Sequence, residues 1–216
     1  MVIQQISLDH KGGFYFYRIH NQKINKLCNG FDNLNNFLVD MFKDCPDQYF
    51  NSGPRSSMLK FKLDVNSKKI QGHEICDLAK HGLLANNDRY NSNHMKVQSF
   101  MLENDSNTIA VEIPIWLRNN EVDYYLDLFK TIQPLTGHID ILRLEDDKIW
   151  VWDYKPNSHN EEFASTQIYF YALMLSKRTK ISLDNFRCGY FDKNYAYVFK
   201  PEENLLTKNK RIKEFL

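Results

Sequence analysis

GHIDILRLEDDKIWVWDYKPNSHNEEFASTQIYFY, Gly137 to Tyr171, is the stretch that decides how this chain is read. It predicts two strands joined by a short acidic turn, then a loop, then a helix. Asp140 falls on the first strand. Asp153 and Lys155 lie two apart on the second, so both point to one face of the sheet. Two carboxylates and one ammonium are thereby expected within reach of a single point.

Burying such a group without purpose is costly, because an unpaired charge taken off water loses several kcal/mol or changes protonation state. A hard divalent cation removes the objection. Two Asp carboxylates and a backbone carbonyl, expected at Tyr154, supply the oxygens that Mg2+ or Mn2+ takes, and water completes the shell. A lysine beside the cation can orient a water and stabilise charge on a phosphate oxygen. These residue types at these positions point to metal-assisted hydrolysis of a phosphodiester.

The motifs Gly137-x-x-Asp140, Asp153-Tyr154-Lys155 and Gln167-x-x-x-Tyr171, in this order, resemble the core of the PD-(D/E)XK nuclease superfamily, and within it the RecB-like branch. Spacing agrees with the letters: 13 positions from Asp140 to Asp153 accommodate strand, turn and strand, and 12 from Lys155 to Gln167 accommodate a loop and one helical turn. The resemblance covers about the C-terminal half of the chain. It implies an α/β fold, a restriction-endonuclease-like mixed central sheet flanked by helices with an αβββαβ core. It also implies an Mg2+- or Mn2+-dependent deoxyribonuclease that leaves a 5′-phosphate and a 3′-hydroxyl. Asp140 and Asp153 would bind the metal with the Tyr154 carbonyl. Lys155 would set the attacking water, Gln167 would support the metal-binding strand or the DNA backbone, and Tyr171 would contact phosphate.

The resemblance also implies a third metal-side group from an upstream helix, and here the sequence departs from the pattern. Cys76 stands where a histidine is usual, with His73, Glu74 and Asp77 beside it. Glu74 and Glu112 are the candidates taken as metal-side ligands, with His73 and Asp77 kept open. His73, Asp77 and His81 share a helical spacing, but HEICD lacks the second histidine of an H-E-x-x-H zinc site.

The 216 residues, 43% of them hydrophobic, suffice for one domain, 1–216, with an N-terminal hairpin and helix extension over about 1–65. Lys and Arg number 28 against 27 Asp and Glu, a net charge of +1. No global basic footprint exists, so any nucleic-acid contact must be local.

Four cysteines without a C-x-x-C pair argue against a zinc site or disulfide framework, and all four are expected to be reduced and buried. Some RecB-like relatives carry an iron–sulfur cluster on one upstream and three C-terminal cysteines. Only Cys188 lies downstream of the core here, so no such cluster is expected. No apolar run approaches the roughly 20 residues of a membrane span, and the N-terminus has no signal-like pattern, so a cytoplasmic protein is expected.

Along the chain, strands are expected at 2–8 and 14–19 around His10-Lys11-Gly12-Gly13, and a helix from Asp32 to near Cys45. A loop over 51–60 offers Arg55, Ser56 and Ser57 to phosphate, and an amphipathic helix over 69–84 follows. Further strands are expected at 98–103 and 108–116, then an inserted helix over 119–132 burying Val122, Tyr125, Leu126 and Phe129. A helix over 161–178 carries Gln167 and Tyr171, and strands at 187–192 and 195–199 close the core. The basic run 208–213 is a candidate backbone contact.

DNA is the expected partner, and a helicase or repair and recombination partner is compatible with the branch. The alternative is a non-catalytic nucleic-acid-binding or assembly module on the same fold. A small phosphate-ester hydrolase finds no Gly-rich phosphate loop to support it.

Overall fold

The computed structural model describes residues 2–206; the basic run 208–213 lies outside them. The N-terminal strands are β1 (Ile3–His10) and β2 (Gly13–His20), joined where Gly12 and Gly13 take φ of 106° and 135°. There follow α1 (Asn21–Leu27), α2 (Asp32–Asp40), α3 (Asp47–Ser52), the short strand β3 (Lys68–Gln71), α4 (Glu74–Ala85) and α5 (Asn93–Asn104). The motif region comprises β4 (Thr108–Leu117), the single-turn α6 (Tyr125–Phe129), β5 (Leu135–Glu145), β6 (Lys148–Tyr154), α7 (Ala164–Thr179), β7 (Phe186–Phe191) and β8 (Tyr195–Phe199).

Among the described residues, eight strands form one sheet in the order β1-β2-β4-β5-β6-β7-β8-β3. Every neighbouring pair is antiparallel except β6 and β7, which are parallel and connected through α7. The run α5-β4-β5-β6-α7-β7 is the expected αβββαβ core. Asp146 and Asp147, at φ 51° and 54°, form the two-residue turn between β5 and β6, the left-handed conformation a tight hairpin requires.

Helices cover both sheet faces. On one, Ile168, Phe170 and Leu173 of α7 and Leu34, Phe37 and Leu38 of α2 pack against Ile139, Ile149 and Val151. On the other, Ile75, Cys76 and Ala79 of α4 and Val97, Met101 and Leu102 of α5 pack against Val111, Ile141, Trp152 and Tyr154. On β6, Ile149 and Val151 face α7 while Trp150, Trp152 and Tyr154 face away, so Tyr154 belongs with the tryptophans and Asp153 faces α7.

Three expectations are corrected. Residues 98–103 belong to α5: the β-rich letters QSFMLE continue an upstream segment whose buried Val97, Met101 and Leu102 recur at helical spacing. The inserted helix shrinks to Tyr125–Phe129, bounded by Tyr124 and Lys130 at positive φ, and Leu126 is exposed rather than buried. Ser56 is buried with its hydroxyl on the Thr136 carbonyl, so it is withdrawn from any phosphate, while Arg55, at the surface, donates to the Lys11 carbonyl and lies over the Tyr15 ring.

Gly189 on β7 pairs with Trp152 on β6, and a Cβ built there would stand 2.2 Å from the indole. Overpacking a well-filled core costs typically 1–3 kcal/mol. Gly189→Ala should therefore lose about that much in urea unfolding, and adding Trp152→Phe should recover part of it; unchanged stability would show that the indole is not wedged there.

Candidate functional site

The β5–β6 ladder ends at Ile141↔Trp152, and carrying that register one step further sets Asp140 level with Asp153. Likewise, Glu112 lies between the pairs Val111↔Ile141 and Ile113↔Ile139, level with Asp140 on the other side. Three carboxylates thus occupy one row across β4, β5 and β6.

The backbone is bent to admit them. Glu112 has φ 53°, a conformation that non-glycine residues avoid and that sites under constraint retain. At the same level the alternation breaks: Ile113 and Ile139 face α7, whereas Val111 and Ile141, two residues on, face α4 and α5. Beyond Trp152 the strands part, and the Tyr154 amide donates to Asp140 Oδ2 at 3.1 Å.

Helix α7 closes one side of the row. Lys155 Nζ lies 2.8 Å from Asp153 Oδ2 and donates to Gln167 Oε1 at 3.1 Å. Gln167 Nε2 donates in turn to Asp153 Oδ1 at 3.3 Å and to the Tyr171 hydroxyl at 2.7 Å. The i, i+4 spacing of Gln167 and Tyr171 sets both on one face of the helix. Gly137 completes the arrangement from β5, since a Cβ there would stand 2.3 Å from the Tyr171 ring and 2.6 Å from Ser56 Oγ.

Helix α5 closes the other side. His94 Nε2 lies 3.7 Å from Asp140 Oδ2, and Gln98, one turn on, donates to Glu112 Oε1 at 2.6 Å. The His94 side chain is 41% exposed against 13% for Asp140 and 2% for Asp153, so the histidine stands at the solvent side of the group.

The structure therefore brings together Asp140, Asp153, Lys155, Gln167 and Tyr171, with Glu112 beside them. Glu74 goes elsewhere: it pairs at 2.8 Å with the fully buried Arg143, which also holds Asp105 and Glu145. His73 caps α4 by accepting from the Ile75 amide, Asp77 pairs with Lys80 in solvent, and His81 stacks on Phe100. Cys76 is buried among apolar side chains. The upstream helix reaching the row is α5, not α4. His94 escaped the sequence reading because its helix was taken in part for a strand; Ser92 ahead of His94 and Gln98 at i, i+4 was the available signal.

Electrostatics follow from the row. Burial and the neighbouring Asp153 push the Asp140 carboxyl up to about 7, and burial with Asp140 beside it pushes Glu112 up to about 8. Burial alone would lower Lys155, but Asp153 and Asp140 outweigh it and hold the ammonium above its usual value. Asp153 Oδ2 is buried and meets Lys155 without a well-directed hydrogen bond. An unsaturated carboxylate oxygen and two acids that resist ionising fit a divalent cation that takes oxygen ligands. Among the described residues, no third His, Cys, Asp or Glu joins Asp140 and Asp153 with all ligand atoms within 4.8 Å of one another. Carbonyl and water oxygens would have to complete a shell there, as Mg2+ ordinarily accepts.

Residues 79–214, more than half of the chain, match the family described as the PD-(D/E)XK nuclease superfamily. Comparisons with curated proteins and with solved structures returned no match.

Asp140 and Glu112 carry protons in the folded state that the unfolded chain, at ordinary values of 3.8 and 4.5, has released. Where the folded state binds more protons, stability falls as pH rises. Metal-free protein in EDTA should therefore lose stability progressively from about pH 4 to 8, on the order of a few kcal/mol. Glu112→Gln should flatten the upper part of that fall. Thermal melts across this range check both, and a wild-type melting temperature level from pH 5 to 8 would contradict the row's electrostatics.

Proposed function

The chain belongs to the PD-(D/E)XK nuclease superfamily, and we propose that within it this protein is a RecB-like, Mg2+- or Mn2+-dependent deoxyribonuclease acting from residues 1–216 as a single domain. Members of the superfamily are nucleases that use divalent metals. The observation that carries the finer reading is the lock of Lys155 between Asp153 and Gln167, beside Asp140.

Asp140, Asp153 and the Tyr154 carbonyl would hold the cation with water completing its shell, His94 standing beside Asp140 at the solvent side and Glu112 holding one of the waters. When bound, such an ion supplies Lewis acidity and a water of lowered pKa. The chain's own residues do the rest. Asp153 and Asp140 hold Lys155 as an ammonium in the metal-free site, and from there it would orient the attacking water and stabilise the anionic phosphoryl oxygens. Gln167 holds the ammonium in place while donating to Asp153, and Tyr171, wedged over Gly137, fixes Gln167. Attack of water at phosphorus would then break the bond to the 3′ oxygen, the water giving up one proton and the departing oxygen taking one up through solvent, which leaves 5′-phosphate and 3′-hydroxyl ends.

A non-catalytic nucleic-acid-binding module is favoured by one observation, the near-complete enclosure of Asp153. Cleavage separates the two. Labelled single- and double-stranded DNA should be cut with Mg2+ or Mn2+ and left intact in EDTA. Asp153→Ala should abolish cutting, and Lys155→Ala should slow it by about 100-fold or more while calorimetry still detects Mg2+ binding. Metal-dependent cutting that survives Asp153→Ala refutes the site; binding without cleavage by wild type selects the module.

Among the described residues, no helix is long and apolar enough to cross a membrane.

A further inference from the structure

A second group of metal-ligating side chains lies outside the acidic row. His10 ends β1, Cys45 sits in the link from α2 to α3, and Asp47 opens α3. One ligand atom from each falls within 4.8 Å of the others, and these three form the one such group among the described residues. His10 Nε2 lies 2.9 Å from Asp47 Oδ1 and 4.0 Å from Cys45 Sγ. We propose that His10, Cys45 and Asp47 bind a zinc ion that pins the N-terminal layer to the strand carrying Asp140.

Donor chemistry selects the metal. An imidazole nitrogen, a thiolate and one carboxylate suit Zn2+, whereas Mg2+ and Mn2+ prefer all-oxygen shells. Three protein ligands leave a fourth tetrahedral position, and the Asp47 side chain, 61% exposed, leaves it open to water.

The support behind His10 is an independent observation. His10 Nδ1 lies 2.9 Å from Nε2 of His138, whose own Nδ1 is buried without a partner. Both rings are fixed by stacking, His10 on Phe50 at 4.1 Å and His138 on Tyr15 at 3.7 Å. One proton serves the His10–His138 contact. If His138 supplies it, His10 Nε2 carries a proton and donates to Asp47. If His10 supplies it, Nε2 presents a lone pair toward Asp47 and Cys45, where a cation, or the Cys45 S–H in its absence, can meet it. An acceptor for the N–H on the ligand's far nitrogen is the outer support that zinc-binding histidines use, and His138 Nε2 stands where that acceptor would be.

Burial and the neighbouring Asp47 hold the Cys45 thiol above its usual value, so zinc binding releases that proton as the thiolate forms. His138 then keeps its own proton on the partnerless Nδ1, a penalty small beside the affinity of such a donor set for zinc. The ligands come from positions 10, 45 and 47, which is why neighbouring-cysteine spacing could not disclose them. His138 lies two residues before Asp140 on β5, and that links the ion to the motif strand.

The test does not depend on the nuclease reading. Metal-stripped full-length protein is titrated with Zn2+ in excess Mg2+, followed by calorimetry and thermal melting, and separately with Co2+, followed by absorbance. The expected result is one equivalent of zinc, a raised melting temperature and a thiolate-to-cobalt charge-transfer band. Cys45→Ala should lose the band and the stabilisation, His138→Phe should weaken zinc about 10- to 100-fold, and Asp153→Ala should change neither. Zinc that fails to bind in excess Mg2+, or binds equally well to Cys45→Ala, overturns the proposal. Should Cys45→Ala not fold, the wild-type cobalt spectrum decides, and absence of the thiolate band overturns it.

Discussion

Repulsion among three carboxylates standing level on adjacent strands is the constraint around which this structure is arranged. Glu112, Asp140 and Asp153 share a row, and burial leaves little water to screen them. Each is answered by a different device. Asp153 receives the Lys155 ammonium and the Gln167 amide, Asp140 the Tyr154 backbone amide, and Glu112 the Gln98 amide. The compensation is incomplete, since Asp140 and Glu112 resist ionising in spite of it. That residual cost of ionising is what a bound cation would relieve.

Much of the surrounding architecture holds these answers in position. Helix α7 lies between the parallel strands β6 and β7, and from there it delivers Gln167 and Tyr171 to Asp153. Gly137 lets the Tyr171 ring lie against β5, a packing contact between the first and third motifs, and Gln167 ties both to the middle one through Asp153 and Lys155. Helix α5 does the corresponding work on the opposite face with His94 and Gln98. The sheet can present three acids together because Glu112 takes a left-handed backbone conformation where the alternation of β4 and β5 reverses.

The region from Gly137 to Tyr171 was legible from sequence because its signals are local. The strand–turn–strand spacing of Asp140 and Asp153 marks β5 and β6, the spacing of Gln167 and Tyr171 marks one helical face, and the residues on either side of Asp146-Asp147 pair as a hairpin. Helix α5 was partly misread because QSFMLE, taken alone, has strand composition, and only the longer segment from Asn93 reveals helical burial. That error moved the upstream ligand to α4, where Glu74 proves to serve Arg143, a partner 69 positions away that no local pattern announces. The left-handed Glu112 was equally hidden, since nothing in the letters VEIP demands a positive φ. Short helices α1 and α3 also went unread, each too brief to establish a periodicity.

The most direct test is where a metal goes. Crystals of the protein soaked in Mn2+, measured near the manganese absorption edge, should give an anomalous peak bonded to one carboxylate oxygen each of Asp140 and Asp153. A peak touching only one of the two, or no peak between them at saturating Mn2+, would contradict the account.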